Sequence, residues 1–349
     1  MPLRKWRKRR CSRISRGCVS IMVERFRDVA RKTDRLLYSL KWRVNSERAW
    51  VRWLIDVLLL PTDIAKIMRG HRKGHGVYPR IIRPQTFNEY LHHSKIFRRS
   101  PLQTRLTDKV AVRDYVRDRI GEKYLTRLYW TGTDLAAVDR TTLPKAFVIK
   151  ANNGSGTNII VRDKDAVDWD EAIKTTQRWM KTDHSVKFGE WQYRWIRPML
   201  LIEEFLGDEA GLIPDDIKIY CFNGVPAFCL IVKDRFSGMI WNFVSMEFAP
   251  IDFTWGKVST GQTPALPQAW EEMIALSKCL AEGLEFARID LYATPRVTFG
   301  EITFTPDAGN TPFNPVAYDR LIFQNLLSPA RPVPETTDWL LAARHDRGA

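Results

Sequence analysis

The sequence predicts an α+β fold in which a helical N-terminal portion precedes a β-rich remainder. Three observations carry this. Apolar residues recur at helical spacing over two stretches before residue 125, while from Pro144 onward short β-branched and aromatic runs alternate with turns. Asn223-Gly224, the preferred type I′ pair, sits between two such runs as a hairpin turn. With 349 residues, 44% of them hydrophobic, the chain is long enough for two or more packed lobes.

In chain order, residues 20–70 read as helical, with Val23, Phe26, Ala30, Leu37 and Leu40 recurring among charges. His71 to Pro84 is a connector rich in Gly, Pro and basic residues. A second helical region spans 86–124, with Thr86 as its N-cap and an amphipathic pattern from Thr107 to Val116. A strand from Phe147 to Lys150, a small-residue turn around Gly154 and Gly156, and a strand ending at Val161 open the β-rich part. A helix over 169–182 and a buried strand from Met199 to Leu206 follow. Asp216 to Val232 forms the Asn-Gly hairpin, a helix covers 267–284, and strands Phe286–Tyr292 and Val297–Thr305 flank a Thr294-Pro295 break. The last 18 or so residues are Pro-rich and polar, a loosely held tail. The domains expected are a basic helical extension (1–70), a helical part (71–142), a lobe with the Gly-rich turn (143–204), a lobe with an acidic hairpin (205–330) and the tail (331–349).

Charge is unevenly placed. The net charge is +15, yet residues 1–50 hold 16 Lys/Arg against 4 Asp/Glu, and the other 299 residues hold 39 against 36. A basic groove built into the fold is therefore not expected, nor is a specific nucleic-acid partner. The tract from Arg4 to Arg10 is a solvated tail, an attachment to an anionic membrane surface or, third, a contact for RNA or DNA. The five cysteines form neither a CxxC nor a Cys/His cluster, which fits a reducing cytoplasm. No signal-peptide core follows the basic start, and Ala49–Leu60, interrupted by Arg52 and Asp56 (an i,i+4 pair), is too short to span a bilayer. The expectation is a cytoplasmic protein that the basic tract is able to hold at the inner face of the membrane.

The chemistry starts at Lys150. A turn containing Gly154 and Gly156 lets backbone press against an anion and offer N–H groups, and a lysine at the strand end adds a point charge. Neither G-x-x-x-x-G-K-[ST] nor G-x-G-x-x-G is completed, so the same residues also read as a hairpin turn with a surface lysine. Strand period two places Arg288, Asp290 and Tyr292 on one face, and Phe299, Glu301 and Thr303 on one face of the next strand. If the strands pair, Asp290 and Glu301 fall opposite each other and repel unless a cation lies between them. A divalent metal such as Mg²⁺ answers this, with Arg288 on a phosphate; solvent-facing acids, or one acid paired with Arg288, answer it too. The strand ending in Glu203, Glu204 and Phe205 either offers backbone to a purine and an acid to ribose or is a strand meeting solvent, and Lys218 is either a second phosphate contact or an outward-facing strand residue. Trp179, Trp191, Tyr193 and Trp195 either stack on a sugar acceptor or pack a core. His92 and His93 have no evident partner.

Taken in order, Lys150, Glu203-Glu-Phe205, Asp216-Ile-Lys218, Phe222-Asn-Gly224, Arg288-Ile-Asp290 and Phe299-Gly-Glu-Ile-Thr-Phe-Thr-Pro306 resemble the ATP-grasp superfamily, and within it the TupA-like branch of bacterial polysaccharide and teichuronopeptide synthesis. Pro84-Gln-Thr-Phe-Asn-Glu89 and Thr107-Asp-Lys109 with Arg113 add to the resemblance, which covers about residues 80–320. It implies two α+β lobes clamping ATP. Lys150 and Lys218 would then meet phosphates, helped by the Asn153, Gly154, Ser155 and Gly156 turn. Glu203, Glu204 and Phe205 would lie near adenine and ribose, and Asp290 and Glu301 would hold Mg²⁺. Arg288, with Lys218, would stabilise an acyl-phosphate and the intermediate after it. Thr303 stands where the superfamily often has Asn, with Asn310 or Asp307 as substitutes. The activity implied is an ATP-dependent carboxylate–amine ligase taking sugar-acid or amino-acid substrates. A glycosyltransferase of the same pathway, and a non-enzymatic basic-tailed membrane or nucleic-acid binder, are the alternatives.

Overall fold

The computed structural model describes residues 48–207, 213–233, 240–256, 264–294, 296–328 and 339–340. The helical spacing over 23–40, the Arg4–Arg10 tract, and Cys11 and Cys18 lie outside these residues. The chain divides into two compact units, residues 1–65 and 66–349.

Helix α1 (Ala49–His75) runs past the start of the expected connector, and Gly76 at φ +77° ends it. Two contacts explain the extension. The His71 and His75 rings stack at 3.9 Å, and His92 reaches His71 Nδ1 at 3.1 Å, so His92 does have a partner. A Cβ at Gly74 would lie 1.8 Å from the Asn310 carbonyl oxygen, so close approach overrides glycine's poor helix propensity there.

The single helical region expected over 86–124 is three helices: α2 (Phe87–Phe97), α3 (Pro101–Thr107) and α4 (Val112–Ile120). Thr86 caps α2 by accepting from the Glu89 N–H at 3.2 Å, as its type predicts. The break has a local cause: Pro101 has no N–H to continue a helix, and Ser100 caps the new one by accepting from Leu102 N–H at 3.2 Å.

The β-rich part starts earlier than Pro144, at β1 (Leu128–Gly132). Then come β2 (Phe147–Ala151), β3 (Asn158–Val161), α5 (Trp169–Lys181), α6 (Ser185–Phe188) and β4 (Leu200–Glu204). These strands form one antiparallel sheet in the order β1-β4-β2-β3. One face, with Phe147, Ile149, Ala151, Leu200 and Ile202, packs with Ala172 and Ile173 of α5. The other carries Val148, Lys150 and Glu203.

The second sheet follows: β5 (Asp216–Phe222), β6 (Val225–Lys233), β7 (Ile240–Ser245), β8 (Thr254–Trp255), α7 (Trp270–Ala281), β9 (Phe286–Ala293), β10 (Val297–Thr303), β11 (Phe313–Asn314) and α8 (Ala317–Leu326). Its order is β10-β9-β5-β6-β7, and β8 pairs with β11. The expected hairpin turn is present, with Asn223 at φ 50° and Gly224 at φ 80°. One face, with Ile217, Ile219, Ile289 and Leu291, packs with α4 and α7 through Val116, Met273 and Leu280. The opposite face starts as an aromatic core of Tyr220, Phe222 and Phe286 with Phe87 and Trp255. Further along the same rows, the period-two positions become Lys218 and Asp216 on β5 and Arg288 and Asp290 on β9, with Lys218 paired to Asp290 and Tyr220 to Arg288. The site is thus the charged end of a row whose other end is core.

One face assignment needs correction. Phe299 does not share a face with Glu301, because the register shifts at Gly300: Phe299 pairs with Leu291 while Glu301 pairs with Asp290. This bulge sends Phe299 into the core with Ile302 and turns Glu301 toward the charged end of the sheet. A Cβ at Gly300 would lie 3.0 Å from the Asp290 carbonyl oxygen, so the bulge favours a residue without one. Of the tail, Trp339 and Leu340 are described; Leu340 is buried, and its carbonyl accepts from Tyr318 Oη at 3.3 Å. Among the described residues no helix is long and apolar enough to cross a membrane.

Candidate active site

The acidic hairpin brings Asp290 and Glu301 side by side, and cations surround both. Arg288 donates to Asp290 through Nε to Oδ1 and Nη2 to Oδ2, each at 2.7 Å. Lys218 donates to Asp290 Oδ2 at 2.5 Å and lies 2.7 Å from Asp216 Oδ2. Glu301 lies 3.6 Å from Arg288 Nη2 and 3.3 Å from Lys109 Nζ. Thr303, at the position where asparagine is frequent, accepts from Arg288 Nη2 at 3.1 Å and donates to Glu301 Oε1 at 3.4 Å. Arg288 therefore pairs with both acids, where the alternative open from sequence had it pair with one. Asn310 packs against Gly70, and Asp307 starts a turn of three consecutive left-handed residues with Ala308 and Gly309.

Electrostatics keep Glu301 and Lys218 ionised, whereas burial raises the Asp290 carboxyl above its ordinary value despite Arg288 and Lys218. Burial would push the Glu301 carboxyl up, but Lys109, Arg288 and Lys218 outweigh it and hold the group down to about 2. Burial would likewise strip Lys218 of its proton, yet Asp290 and Asp216 hold its pKa above the ordinary lysine value.

The first sheet supplies the other wall. Lys150 pairs with Glu203 on the face opposite the α5 core. Glu203 also accepts from Thr126 Oγ1 at 3.0 Å and lies 4.0 Å from Arg113. Glu204 points elsewhere: it accepts from Arg296 Nη2 at 2.6 Å and from the Arg127 N–H at 3.0 Å. Lys150, Glu203 and Glu204 border a cleft open to solvent, whose lining also includes Val148, Ile160, Phe205, Ile213 and Tyr292.

The Gly-rich turn is held from outside. Lys109 Nζ donates to the Gly154 carbonyl at 2.7 Å while also facing Glu301, so one side chain ties the turn to the hairpin. Asp108 Oδ1 accepts from Asn152 Nδ2 at 2.9 Å, and Asn153 Nδ2 donates to the Thr182 carbonyl at 3.3 Å. The Ser155 N–H, one of the donors expected to meet an anion, donates instead to His184 Nε2 at 3.0 Å. That bond requires a neutral ring, consistent with burial, Lys109 and Lys187 lowering the His184 pKa. Gly156 has φ +74°, which favours glycine, and a Cβ at Gly154 would lie 2.8 Å from His184 Nδ1. Of the aromatic cluster, Trp191 and Trp195 are buried, Trp179 packs with the first-sheet core, and Tyr193 lies beside His184.

Sequence reasoning assigned no role to Lys109, Arg113, Asp216 or His184. Lys109 and Arg113 entered only through the motif Thr107-Asp-Lys109 with Arg113, which added to the resemblance without giving either a role.

The acids pass a test of fit to Mg²⁺ of a limited kind. Among the described residues no group of three or more His, Cys, Asp or Glu converges. Mg²⁺ is commonly held by one or two carboxylates plus substrate phosphates and water, and adjacent Asp290 and Glu301 supply that number.

A family model described as TupA-like ATPgrasp matches residues 89–327. No curated protein sequence matches the chain significantly. Similar solved structures include the D-alanine–D-alanine ligase of Bacillus anthracis complexed with ATP (15% identity, 57% of this chain and 54% of that one, TM-score 0.33). Another is the ATP-grasp ligase PsnB with a phosphomimetic variant of its minimal precursor, Mg and ADP (15% identity, 59% and 52%, TM-score 0.34). A third is the N5-carboxyaminoimidazole synthetase of Staphylococcus aureus complexed with ADP (10% identity, 57% and 43%, TM-score 0.33). In each, the match spans about half of the solved chain's own length.

Proposed function

The chain belongs to the TupA-like ATPgrasp family, and from that membership and the charged cluster we propose that it is an ATP- and Mg²⁺-dependent carboxylate–amine ligase acting in cell-envelope polysaccharide modification. The observation that carries the reading is the convergence of Lys109, Lys150, Lys218 and Arg288 with Glu203, Asp290 and Glu301 beside an apolar cleft. Val148, Ile160 and Phe205 suit a flat purine. Glu203 takes ribose hydroxyls; Glu204, held by Arg296, borders the base side. Lys150 and Lys218 take phosphate oxygens under the turn of Asn153, Gly154, Ser155 and Gly156. Asp290 and Glu301 hold Mg²⁺, which neutralises phosphate charge when bound.

In the reaction the γ-phosphoryl group passes from ATP to a carboxylate oxygen and ADP leaves. An amine nitrogen then attacks the acyl carbon, and phosphate leaves with the bonding pair. Arg288 and Lys218 stabilise the acyl-phosphate and the tetrahedral intermediate that follows it. Little base chemistry is asked of the protein, since positioning and charge neutralisation carry most of the rate in phosphoryl transfer. Sugar acids and amino acids are the substrates that the TupA-like resemblance favours, and an envelope polymer would place the enzyme at the inner face of a membrane.

The test is product identity. With ATP, Mg²⁺, hydroxylamine as nucleophile and a panel of sugar acids and amino acids, ADP and phosphate should form in equal amounts. AMP and pyrophosphate would contradict the acyl-phosphate route.

A further inference from the structure

The first half of α1 exposes an apolar stripe. Trp50, Trp53, Leu54, Val57 and Leu58 are 61, 66, 43, 44 and 51% exposed, while Val51, Ile55 and Leu59 between them are buried. Their spacing is i, i+3, i+4, i+7 and i+8, which at 3.6 residues per turn is one stripe about 140° wide. A helix that has already buried one face gains nothing from showing a second apolar face to water, and a contiguous patch of this kind marks an interaction surface.

What covers it follows from charge. Residues 1–50, which lead into the stripe, carry 16 Lys/Arg against 4 Asp/Glu. The partner must therefore offer hydrocarbon and dense negative charge together. A second copy of this chain would bring apolar contact but the same positive excess, and nucleic acid would bring charge without an apolar face. An anionic bilayer surface offers both, and Trp and Leu on a helix beside a polybasic segment are the residue types that settle in its interface. We propose that α1 seats residues 50–58 in the interface of an anionic membrane. This surface is independent of the ligase reading.

Flotation of the full chain with vesicles of phosphatidylcholine alone, and of phosphatidylcholine mixed with phosphatidylglycerol, tests it. The chain should float with the mixed vesicles only, and Trp53→Glu/Val57→Glu should weaken that binding by at least about tenfold. Leu54→Ser/Leu58→Ser should weaken it in the same direction, and unchanged circular dichroism and MgATP titration would show that both variants remain folded. No binding by the wild type to mixed vesicles overturns the proposal. So does equal binding by the variants, which would leave charge alone responsible, or a dimer in light scattering that the variants convert to monomer.

Discussion

Replacing Lys218 with Met is expected to lower folding stability by roughly 3–5 kcal/mol, the usual consequence of removing one partner from a buried ion-pair cluster. The Lys218 side chain is 13% exposed, and its ammonium lies between Asp216 and Asp290, whose side chains are 4% and 3% exposed. Without it, two buried carboxylates remain at diagonal positions on the paired strands β5 and β9, with the Arg288 fork still on Asp290. Denaturation in urea reads the loss directly, and the melting temperature should fall by on the order of 6–20 °C for a domain of this size. A loss below about 1 kcal/mol would mean that the cluster relaxes into solvent and is not the rigid base of the site.

Lys150→Met should behave in the opposite way. Its partner Glu203 keeps the Thr126 hydroxyl at 3.0 Å and Arg113 at 4.0 Å, so the carboxylate is not left without cationic or hydrogen-bonded company. Stability should change much less than in the Lys218 variant. Nucleotide affinity, however, should fall by about 10–100-fold, the value of one charge-assisted phosphate contact. Calorimetry with MgATP on both proteins separates the two effects. Unchanged affinity in the Lys150 variant would remove Lys150 from the nucleotide site and leave the Lys150–Glu203 pair a structural tie between strands.

The features readable from sequence were those set by local rules. Asn223-Gly224 announced its hairpin because both positions need positive φ. The shared face of Arg288 and Asp290 followed from strand periodicity, and the pairing of Asp290 with Glu301 followed from the short turn between their strands. Phe299 was misplaced because a one-residue bulge at Gly300 has no periodic signature. The five-residue strand β1 was missed because every residue in it is half-buried, which leaves no alternation to read. Lys109 escaped assignment for a different reason. Its two site contacts, Gly154 and Glu301, are distant in the chain, the nearer by 45 residues, and only the tertiary fold brings them to one ammonium group. The same holds for His184 and Ser155, 29 residues apart, where a ring nitrogen takes the very N–H that the Gly-rich turn offers.

The acids and cations of the site satisfy one another, and under the proposed function a triphosphate would compete with Asp290 and Glu301 for Lys109, Lys218 and Arg288. Nucleotide affinity should therefore depend on whether those two acids are neutralised. The most direct test is a calorimetric titration of ATP, with and without Mg²⁺, into the wild type and into Asp290→Asn/Glu301→Gln. In the wild type Mg²⁺ should strengthen ATP binding by at least about tenfold, and in the variant the two affinities should coincide. Wild-type binding indifferent to Mg²⁺, or a variant as dependent on Mg²⁺ as the wild type, would contradict the assignment of the hairpin acids to a nucleotide-bound metal.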